Sequence, residues 1–429
     1  MEELQTLDKP RKGNVKLIWL WLGLLSLAIL AVFIDQGLCS ILGPLMAAFL
    51  MYLYFGGYAE FVTAIIVVAN DSLGTIIGGS LSFPYLLLAM VVVRIVLRPK
   101  LQQSALVYLL VALVLIMQPL FTDSLSFRGA LYSFVFILSL LVLPNNEESR
   151  KKLFCGIAYT VVLIALHACI TGGVKFYDLA EGSEEVLRKG VLGVGSGDAN
   201  FSSYLLLIGI VCLCYIDGLK IGWKLACIGV LLYAVMITLS ITGLLALLAT
   251  SLMGTLLSKK KKKALIILIV IAIIVVALFD NYAALPAAFR NEALDGYIVR
   301  VEEKMLQFQM GDYSGATTGR SYLAKTYLAY IFNQPVMPLL FGGNGLFIIN
   351  NKIAHNTFLS LLLQVGLVGA GALVAWMIWK LRKLLRCPAT KANRNQVLVL
   401  KGLSVLFAFT LSIYNGNMWA LWFYFLVVL

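Results

Sequence analysis

A series of long apolar runs with few charges constrains the fold of this chain more than any other feature. A helix needs about 20 apolar residues to cross the hydrocarbon core of a bilayer. The predicted spans on that scale are 17–34, 41–56, 60–78, 82–97, 104–118, 130–143, 153–170, 199–216, 222–240, 243–258, 264–279, 357–379 and 397–414. A short apolar tail, 418–429, is either a half-span or a fourteenth helix. The pattern predicts an all-α, polytopic integral membrane protein of about 12–14 transmembrane helices, with 1–429 as a single membrane domain.

Composition supports the same class. The chain is 61% hydrophobic and 13% charged, whereas soluble domains are about half apolar and about a quarter charged. The seven cysteines form no CxxC pair, which gives no indication of a metal site or a disulfide framework. The first apolar run follows four basic residues and has no small-residue cleavage site, so it is typical of a signal anchor.

The distribution of Lys and Arg predicts the orientation. If the N-terminus is cytoplasmic and the spans alternate, the inside segments carry 23 basic and 6 acidic residues. The outside segments then carry 10 basic and 13 acidic residues. This asymmetry follows the positive-inside rule. The net charge of +13 is therefore a signal of topology, and we expect no nucleic-acid partner.

Two outside loops are long. The smaller loop is 171–198, and the larger loop, 280–356, contains two amphipathic stretches at 297–310 and 321–332. Helices of this kind lie on a membrane surface or pack over a cavity. On the other side, the inside loops support a tight hairpin of two helices over 222–258 that turns at Thr242 and Gly243.

The motifs that are missing restrict the chemistry. The chain has no DxD, Walker A, HExxH or GxSxG motif, and its outside face has no paired carboxylates at a spacing suited to a metal. ATP is absent outside the cell. Chemistry on that face would use an activated substrate carried in the membrane, so we expect neither a cofactor nor a metal.

His355 and Arg320 are the candidate catalytic residues. His355 precedes an apolar helix, and a neutral imidazole is a ready general base near pH 7. A plain interfacial histidine is the alternative. Asn356 is predicted to cap that helix and orient the ring. Arg320 is either a solvated loop arginine or a guanidinium that binds a phosphate through two hydrogen bonds.

Other residues are weaker candidates for the same site. Arg290, Arg300 and Arg128 also lie on the outside face and could share in binding a diphosphate. Tyrosine side chains of the large loop, Tyr322 among them, could stack on sugar rings, although packing explains them equally well.

The stretch 315–369 resembles the O-antigen ligase and O-antigen polymerase family of bacterial surface-polysaccharide enzymes. His355 and Asn356, followed after nine residues by Gly366 and after two more by Gly369, look like the family's histidine motif. The segments 318–320 (Thr-Gly-Arg) and 341–345 (Phe-Gly-Gly-Asn-Gly) are similar to its Gly-Arg and Phe-Gly-x-Gly elements.

Another part of the resemblance lies earlier in the chain. The turn 197–200 (Gly-Asp-Ala-Asn), which ends at Asn200, is similar to the family's Asp-Pro-Asn turn. The chain also departs from the family pattern. Ser240-Ile-Thr-Gly243 stands where the family often has Ser-Arg-Gly, and the tryptophan usual after the Gly-Arg is absent. Which of Arg290, Arg300 and Arg128 shares the role of Arg320 stays open.

The resemblance implies a glycosyltransferase of the bacterial cytoplasmic (inner) membrane with an extracytoplasmic active site. Its donor would be an oligosaccharide on undecaprenyl diphosphate, transferred with inversion and without a metal. The donor, the acceptor and membrane lipid are the implied partners, with a chain-length regulator and a flippase as candidate protein partners. The absence of an extra domain for a bulky acceptor favours a polymerase of O-antigen or capsule repeat units.

Rival functions stay open at the level of sequence. A ligase that passes glycan to a lipid A core or another acceptor has the same motifs. A flippase for lipid-linked sugars would need charges along a path in the membrane and internal symmetry. The chain has only Arg94, Asp71 and Glu60 within apolar runs and shows no repeat. A non-catalytic assembly component is the remaining rival.

Overall fold

The computed structural model describes 36–76, 83–97, 103–121, 127–144, 146–171, 174–178, 188–192, 199–216, 219–238, 240–257, 292–313, 319–344, 354–386, 391–410 and 416–429. Two predicted spans, 17–34 and 264–279, lie outside these residues, as does Arg290.

The described residues are helical apart from one hairpin. The helices are α1 Gln36–Leu53, α2 Ala59–Ile76, α3 Phe83–Leu97, α4 Gln103–Phe121, α5 Phe127–Val142, α6 Glu147–Thr171, α7 Ala199–Cys214, α8 Ile221–Ile237, α9 Ile241–Leu257, α10 Glu292–Gln309, α11 Arg320–Phe332, α12 Val336–Phe341, α13 Thr357–Arg386, α14 Lys391–Thr410 and α15 Gly416–Phe423. A π-helical turn, Tyr54–Tyr58, joins α1 to α2, and another, Tyr424–Val428, continues α15.

The predicted helices are confirmed. Within the described ranges, each predicted span coincides with a helix to within several residues, and the apolar tail is helical as well. The amphipathic stretches of the large loop form α10 and α11. The predicted all-α class holds, with the exception of the hairpin in the smaller loop.

That hairpin was not predicted. Val174–Asp178 pairs antiparallel with Arg188–Leu192, and Val174 lies opposite Leu192. Both strands fall within the 171–198 loop. They are five residues each, too short for alternation of apolar and polar residues to distinguish them from loop.

The predicted turn between α8 and α9 was wrong by a few residues. Helix α8 ends at Ile237 and α9 begins at Ile241, so Gly243 falls in the first turn of α9. Ser240 Oγ accepts a hydrogen bond from Gly243 N at 3.0 Å, which caps α9 and starts it earlier. Glycine is needed at 243 because a Cβ there would lie 2.6 Å from Ser203 Oγ.

Two described helical stretches, Ala47–Ala69 and Thr357–Arg386, are long and apolar enough to cross a membrane. Seven further helices of the described chain are apolar but shorter, at 10–17 residues. The length and apolar composition of the individual helices are therefore weak evidence that the protein associates with a membrane.

The core of the molecule is one large cluster of apolar side chains. The helices α2 and α6 pack closely together within it, and α7 packs against α6, α8 and α14. The residues of α7 from Ala199 to Leu213 are all buried except Phe201, which is half-buried. An apolar helix that is buried on all sides lies at the centre of its fold.

Other helices keep large apolar side chains exposed. Those on α4, α8, α9 and the second half of α13 include Leu106, Leu110, Val114, Trp223, Leu225, Leu245, Leu248, Val368, Val374 and Ile378. Exposed apolar surface of this extent marks contact with a membrane or with another protein.

A backbone break divides α13 into two segments. Gly366 has φ 64° and ψ −173°, so helical geometry stops at this residue and resumes after it. The break frees carbonyl groups of the preceding turn. Gly343 N donates to Gln364 O at 2.9 Å and Asn344 N donates to Leu363 O at 3.1 Å, which satisfies two of them.

Two glycines make this contact possible. A Cβ on Gly342 would lie 2.1 Å from Gln364 O, and a Cβ on Gly366 would lie 2.3 Å from Leu340 O. Both residues also have positive φ. By contrast, a Cβ on Gly371 would meet no atom within 4 Å.

We predict that Gly342→Ala and Gly366→Ala each prevent the Gly-rich turn from docking on α13, because backbone atoms occupy the space a Cβ needs. The measurement is the yield and melting temperature of the purified protein in detergent. Gly371→Ala is the matched control and should be neutral or stabilising by up to about 1 kcal/mol, since alanine is the better helix former. Equal melting temperatures for the three variants would contradict the close packing of the Gly-rich turn on α13.

Candidate functional site

The C-terminal end of α14 brings the two principal candidate segments together. Arg320 Nη1 donates to Thr410 O at 3.1 Å. Asn356 Nδ2 donates to Phe409 O at 3.3 Å. The two acceptors belong to neighbouring residues, whose Cα atoms are about 3.8 Å apart. Arg320 and the turn that carries His355 therefore meet, although 35 residues separate them in the sequence.

Helix-end electrostatics explain why these groups meet there. The last four carbonyls of a helix have no intrahelical donor. They also carry the negative end of the helix dipole, which favours a nearby cation. The Arg320 guanidinium satisfies both requirements at the end of α14, and its half-buried position limits screening by solvent.

Asn356 caps α13, as predicted. Its Oδ1 accepts hydrogen bonds from Phe358 N at 3.0 Å and Leu359 N at 3.1 Å. The same side chain uses its Nδ2 on Phe409 O. Asn356 thus fixes the start of α13 and ties it to α14 at once.

His355 lies directly before this cap in an uncommon backbone conformation. Its φ is 48°, the one positive φ among the described non-glycine residues. Histidine is one of the residues that tolerate this region, but the conformation still costs about 1 kcal/mol or more. The residue is half-buried and interacts with its surroundings. The cap and the buried Ala354 hold the backbone that positions the imidazole.

The helix α11 packs beneath this turn. Leu323, Tyr327 and Ile331 recur every four residues and are buried against Leu359 and Leu363 of α13. The stripe fixes α11, and with it Arg320 at the first residue of the helix.

Tyr322 lies outside the buried stripe of α11. Its side chain is 66% exposed. Its position one residue from the buried Leu323 turns the ring away from the packing face of the helix. Packing therefore does not account for this tyrosine, and the ring is accessible to a ligand.

The sequence did not single out a buried polar stripe on the first segment of α13. Thr357, Ser360 and Gln364 are at most 1% exposed and share one face of the helix. Among the described residues, neither amide atom of Gln364 finds a hydrogen-bond partner. An unsatisfied buried amide costs about 1–3 kcal/mol. The spacing of three polar residues on an otherwise apolar helix was the available signal.

Asn200 belongs to a second polar cluster. It is buried at the start of α7, where Ser240 Oγ donates to its Oδ1 at 2.6 Å. The structure thus joins Asn200 to Ser240, two residues that lie in separate parts of the family resemblance.

The second cluster lies at the same end of the molecule as Thr410. Tyr204 Oη and Ser404 Oγ, 2.8 Å apart, link α7 to α14. Asn200 precedes Tyr204 by four residues and Thr410 follows Ser404 by six, which is about 6 Å and 9 Å along the two helices. Asn395 Nδ2 donates to Leu257 O at 2.8 Å, which pairs the start of α14 with the end of α9. The start of α9, where Ser240 binds Asn200, therefore lies at the same end as Thr410, as in the predicted topology.

The three additional candidate arginines lie in different parts of the chain. Arg128 is exposed, and its Nε donates to Tyr132 Oη at 2.7 Å on its own helix, α5. No described contact joins it to Arg320. Arg300 lies in α10, and Arg290 lies outside the described residues. Arg320 is thus the arginine that the described structure brings to the histidine turn.

No family model matches this chain, and no curated protein or solved structure matches it either. The resemblance is therefore carried by the motifs and their arrangement alone.

We predict that Asn356→Ala lowers stability by about 1 kcal/mol through loss of the cap, and that it also loosens the turn at His355. Asn356→Asp keeps an acceptor for the two backbone amides and should retain most of the stability. Thermal unfolding in detergent compares the two variants. An equal loss in both would assign the effect to the Phe409 contact instead of the cap.

Proposed function

We propose that this protein is a multi-pass inner-membrane glycosyltransferase that polymerises oligosaccharide repeat units carried on undecaprenyl diphosphate. The observation that carries the proposal is the meeting of Arg320 and the His355–Asn356 turn at the end of α14. These are the residues that the family resemblance singles out, and they lie 35 positions apart in the sequence.

Membrane placement is supported by the exposed apolar faces and by the distribution of charge. The helix ends near Gly57, Leu97 and Lys152 line one pocket, so they lie on one side of the bundle. The predicted topology assigns all three to the cytoplasmic side. The candidate site lies at ends assigned to the other side, so the proposed active site is extracytoplasmic.

A lipid carrier is supported by an apolar groove on α13. It has a volume of about 360 Å³ and is lined by Val107, Tyr108, Leu110, Val111, Val114, Leu115, Val365, Gly369, Ala372, Leu373, Trp376 and Val427. The groove begins at Val365, beside the break at Gly366. Val365 lies eight residues, about 12 Å, along α13 from Thr357 at the start of the helix. An isoprenoid chain in the groove would therefore extend from below the candidate site into the apolar layer.

The proposed reaction is a single displacement. The hydroxyl oxygen of the acceptor sugar attacks the anomeric carbon of the donor, and the bond from that carbon to the diphosphate oxygen breaks. The diphosphate leaves with the bonding electron pair. His355 receives the hydroxyl proton, and Arg320 stabilises the negative charge that develops on the diphosphate. Attack from the face opposite the leaving group inverts the anomeric centre.

A further role follows for the strained turn. General base catalysis requires the imidazole within hydrogen-bond reach of the attacking hydroxyl. The cap at Asn356 and the left-handed backbone at His355 would fix the ring before substrate binds. Gln364, with its unsatisfied amide deeper in α13, is a candidate for a polar contact to the substrate or to an ordered water.

We predict that His355→Ala lowers polymerisation by about 10²- to 10⁴-fold, the usual contribution of a general base. His355→Asn is the matched variant, because asparagine tolerates positive φ but is not a base. Both variants should lose long glycan chains in a complemented deletion strain at normal protein level. Recovery of activity by asparagine would assign a conformational role to His355.

The same strain distinguishes a polymerase from a ligase. Loss of a polymerase leaves single repeat units on the final acceptor. Loss of a ligase leaves long chains on the lipid carrier and none on the acceptor. Unchanged glycan in both variants would refute the transferase.

We predict that Arg320→Lys lowers activity by about tenfold or more, because lysine keeps the charge but loses the paired hydrogen bonds of the guanidinium. Lys325→Gln removes an exposed cation from the same helix and is the control. Product formation from a purified lipid-linked donor is the measurement, with and without a chelator. Full activity in Arg320→Lys would rule out paired binding of phosphate at this position, and activity restored only by a divalent ion would rule out the metal-independent reaction.

A further inference from the structure

A polar pocket lies at the opposite end of the bundle from the candidate site. Its volume is about 370 Å³. The residues that line it include Tyr54, Gly57, Glu60, Arg94, Ser149 and Lys152. The predicted topology assigns these helix ends to the cytoplasmic side, where the pocket would lie level with the lipid headgroups.

Four charged side chains line this pocket, namely Glu60, Arg94, Glu148 and Lys152. Lys152 pairs with Glu148, whereas Glu60 and Arg94 have no ion pair among the described residues. Glu60 is 7% exposed, and Arg94 is half-buried. The ion pairs within the described residues are Lys151 with Glu147 and Lys152 with Glu148. Glu60 and Arg94 therefore lie more than 4 Å apart at their charged atoms, with the cavity beside both.

Each charge has partial support from the protein. Ser149 Oγ donates a hydrogen bond to Glu60 Oε1 at 2.6 Å. Within the described residues this is the hydrogen bond that the Glu60 carboxylate accepts. The Arg94 guanidinium lies over the Tyr54 ring, 5.7 Å from its centroid. A buried carboxylate without a cation is costly. A ligand that brings a cation to Glu60 and an anion to Arg94 would remove this cost.

The helix that lines the pocket is broken beside it. Tyr54 belongs to the π-helical turn Tyr54–Tyr58, in which Gly57 has φ 98°. The non-helical backbone of Gly57 separates α1 from α2 at this point. Here the turn places Tyr54 under Arg94 and lets α2 begin at the residue next to Glu60.

We propose that this pocket binds the zwitterionic phosphoethanolamine headgroup of a membrane lipid of the cytoplasmic leaflet. The phosphate contacts Arg94, and the ammonium group contacts the Glu60 oxygen that Ser149 leaves available. The volume suits a headgroup of this size, and both ends of the ligand meet the charge they need. The inference rests on the proposed membrane placement but not on glycan transfer.

The experiment uses the full chain purified in detergent and depleted of lipid. A diacyl phosphoethanolamine lipid should raise its melting temperature in a saturable manner. The anionic diacyl phosphoglycerol lipid lacks the ammonium group and should give a smaller shift. Soluble phosphoethanolamine should act only at much higher concentration, and an equal effect of the soluble compound would overturn the lipid as the source.

Variants test the two contacts separately. Arg94→Gln and Glu60→Gln should each weaken the apparent affinity for the phosphoethanolamine lipid by about tenfold or more. Glu60→Gln should in addition bind the phosphoglycerol lipid as well as it binds the phosphoethanolamine lipid, a change of preference that simple destabilisation would not produce. The control Lys151→Gln removes a cation that is half exposed and does not line this pocket, and it should retain the wild-type shifts.

A conservative variant keeps the test valid if Arg94→Gln folds poorly. Arg94→Lys retains the charge and should keep part of the lipid-induced shift. Native mass spectrometry of the retained lipid gives a second readout. Wild-type shifts in Arg94→Gln and Glu60→Gln, or equal binding of both lipids by the wild-type protein, would overturn the proposal.

Discussion

The carbonyl oxygens at the end of α14 are the contacts on which the candidate site depends. A helix end must find donors for its last carbonyls, and here the donors are Arg320 and Asn356. The same two hydrogen bonds therefore complete a helix and assemble a site. Arg320 and Asn356 therefore also stabilise the packing of the end of α14. We expect their substitution to affect both activity and stability, so both quantities are measured on each variant.

The break in α13 is the second constraint. It allows the Gly-rich turn at 342–344 to donate to carbonyls that an unbroken helix would have used internally. In an apolar layer such carbonyls have no water to bond, so a broken helix persists only where protein groups replace it. The spacing from His355 to Gly366 thus has a physical meaning, because it sets the length of the segment between the cap and the break.

Sequence predicted the helices well because apolar length and loop charge are strong signals. It also predicted the cap at Asn356, since the capping preference is local. The break at Gly366, the turn at Ser240 and the pairing of Asn200 with Ser240 were not predicted. They depend on contacts between segments distant in sequence, as does the meeting of Arg320 with α14. Arg128 illustrates the converse, because a shared outside face did not place it beside Arg320.

The position of the α14 end in the chain has a consequence for biogenesis. The ribosome delivers 319–320 and 355–356 before it delivers Phe409 and Thr410, so Arg320 and Asn356 gain their α14 acceptors only late in synthesis. The earlier helices can pack in the meantime, since α6 packs against both α2 and α7 without α13. Competence at the candidate site would then be acquired in one late step, when α14 reaches its place beside α7 and α13.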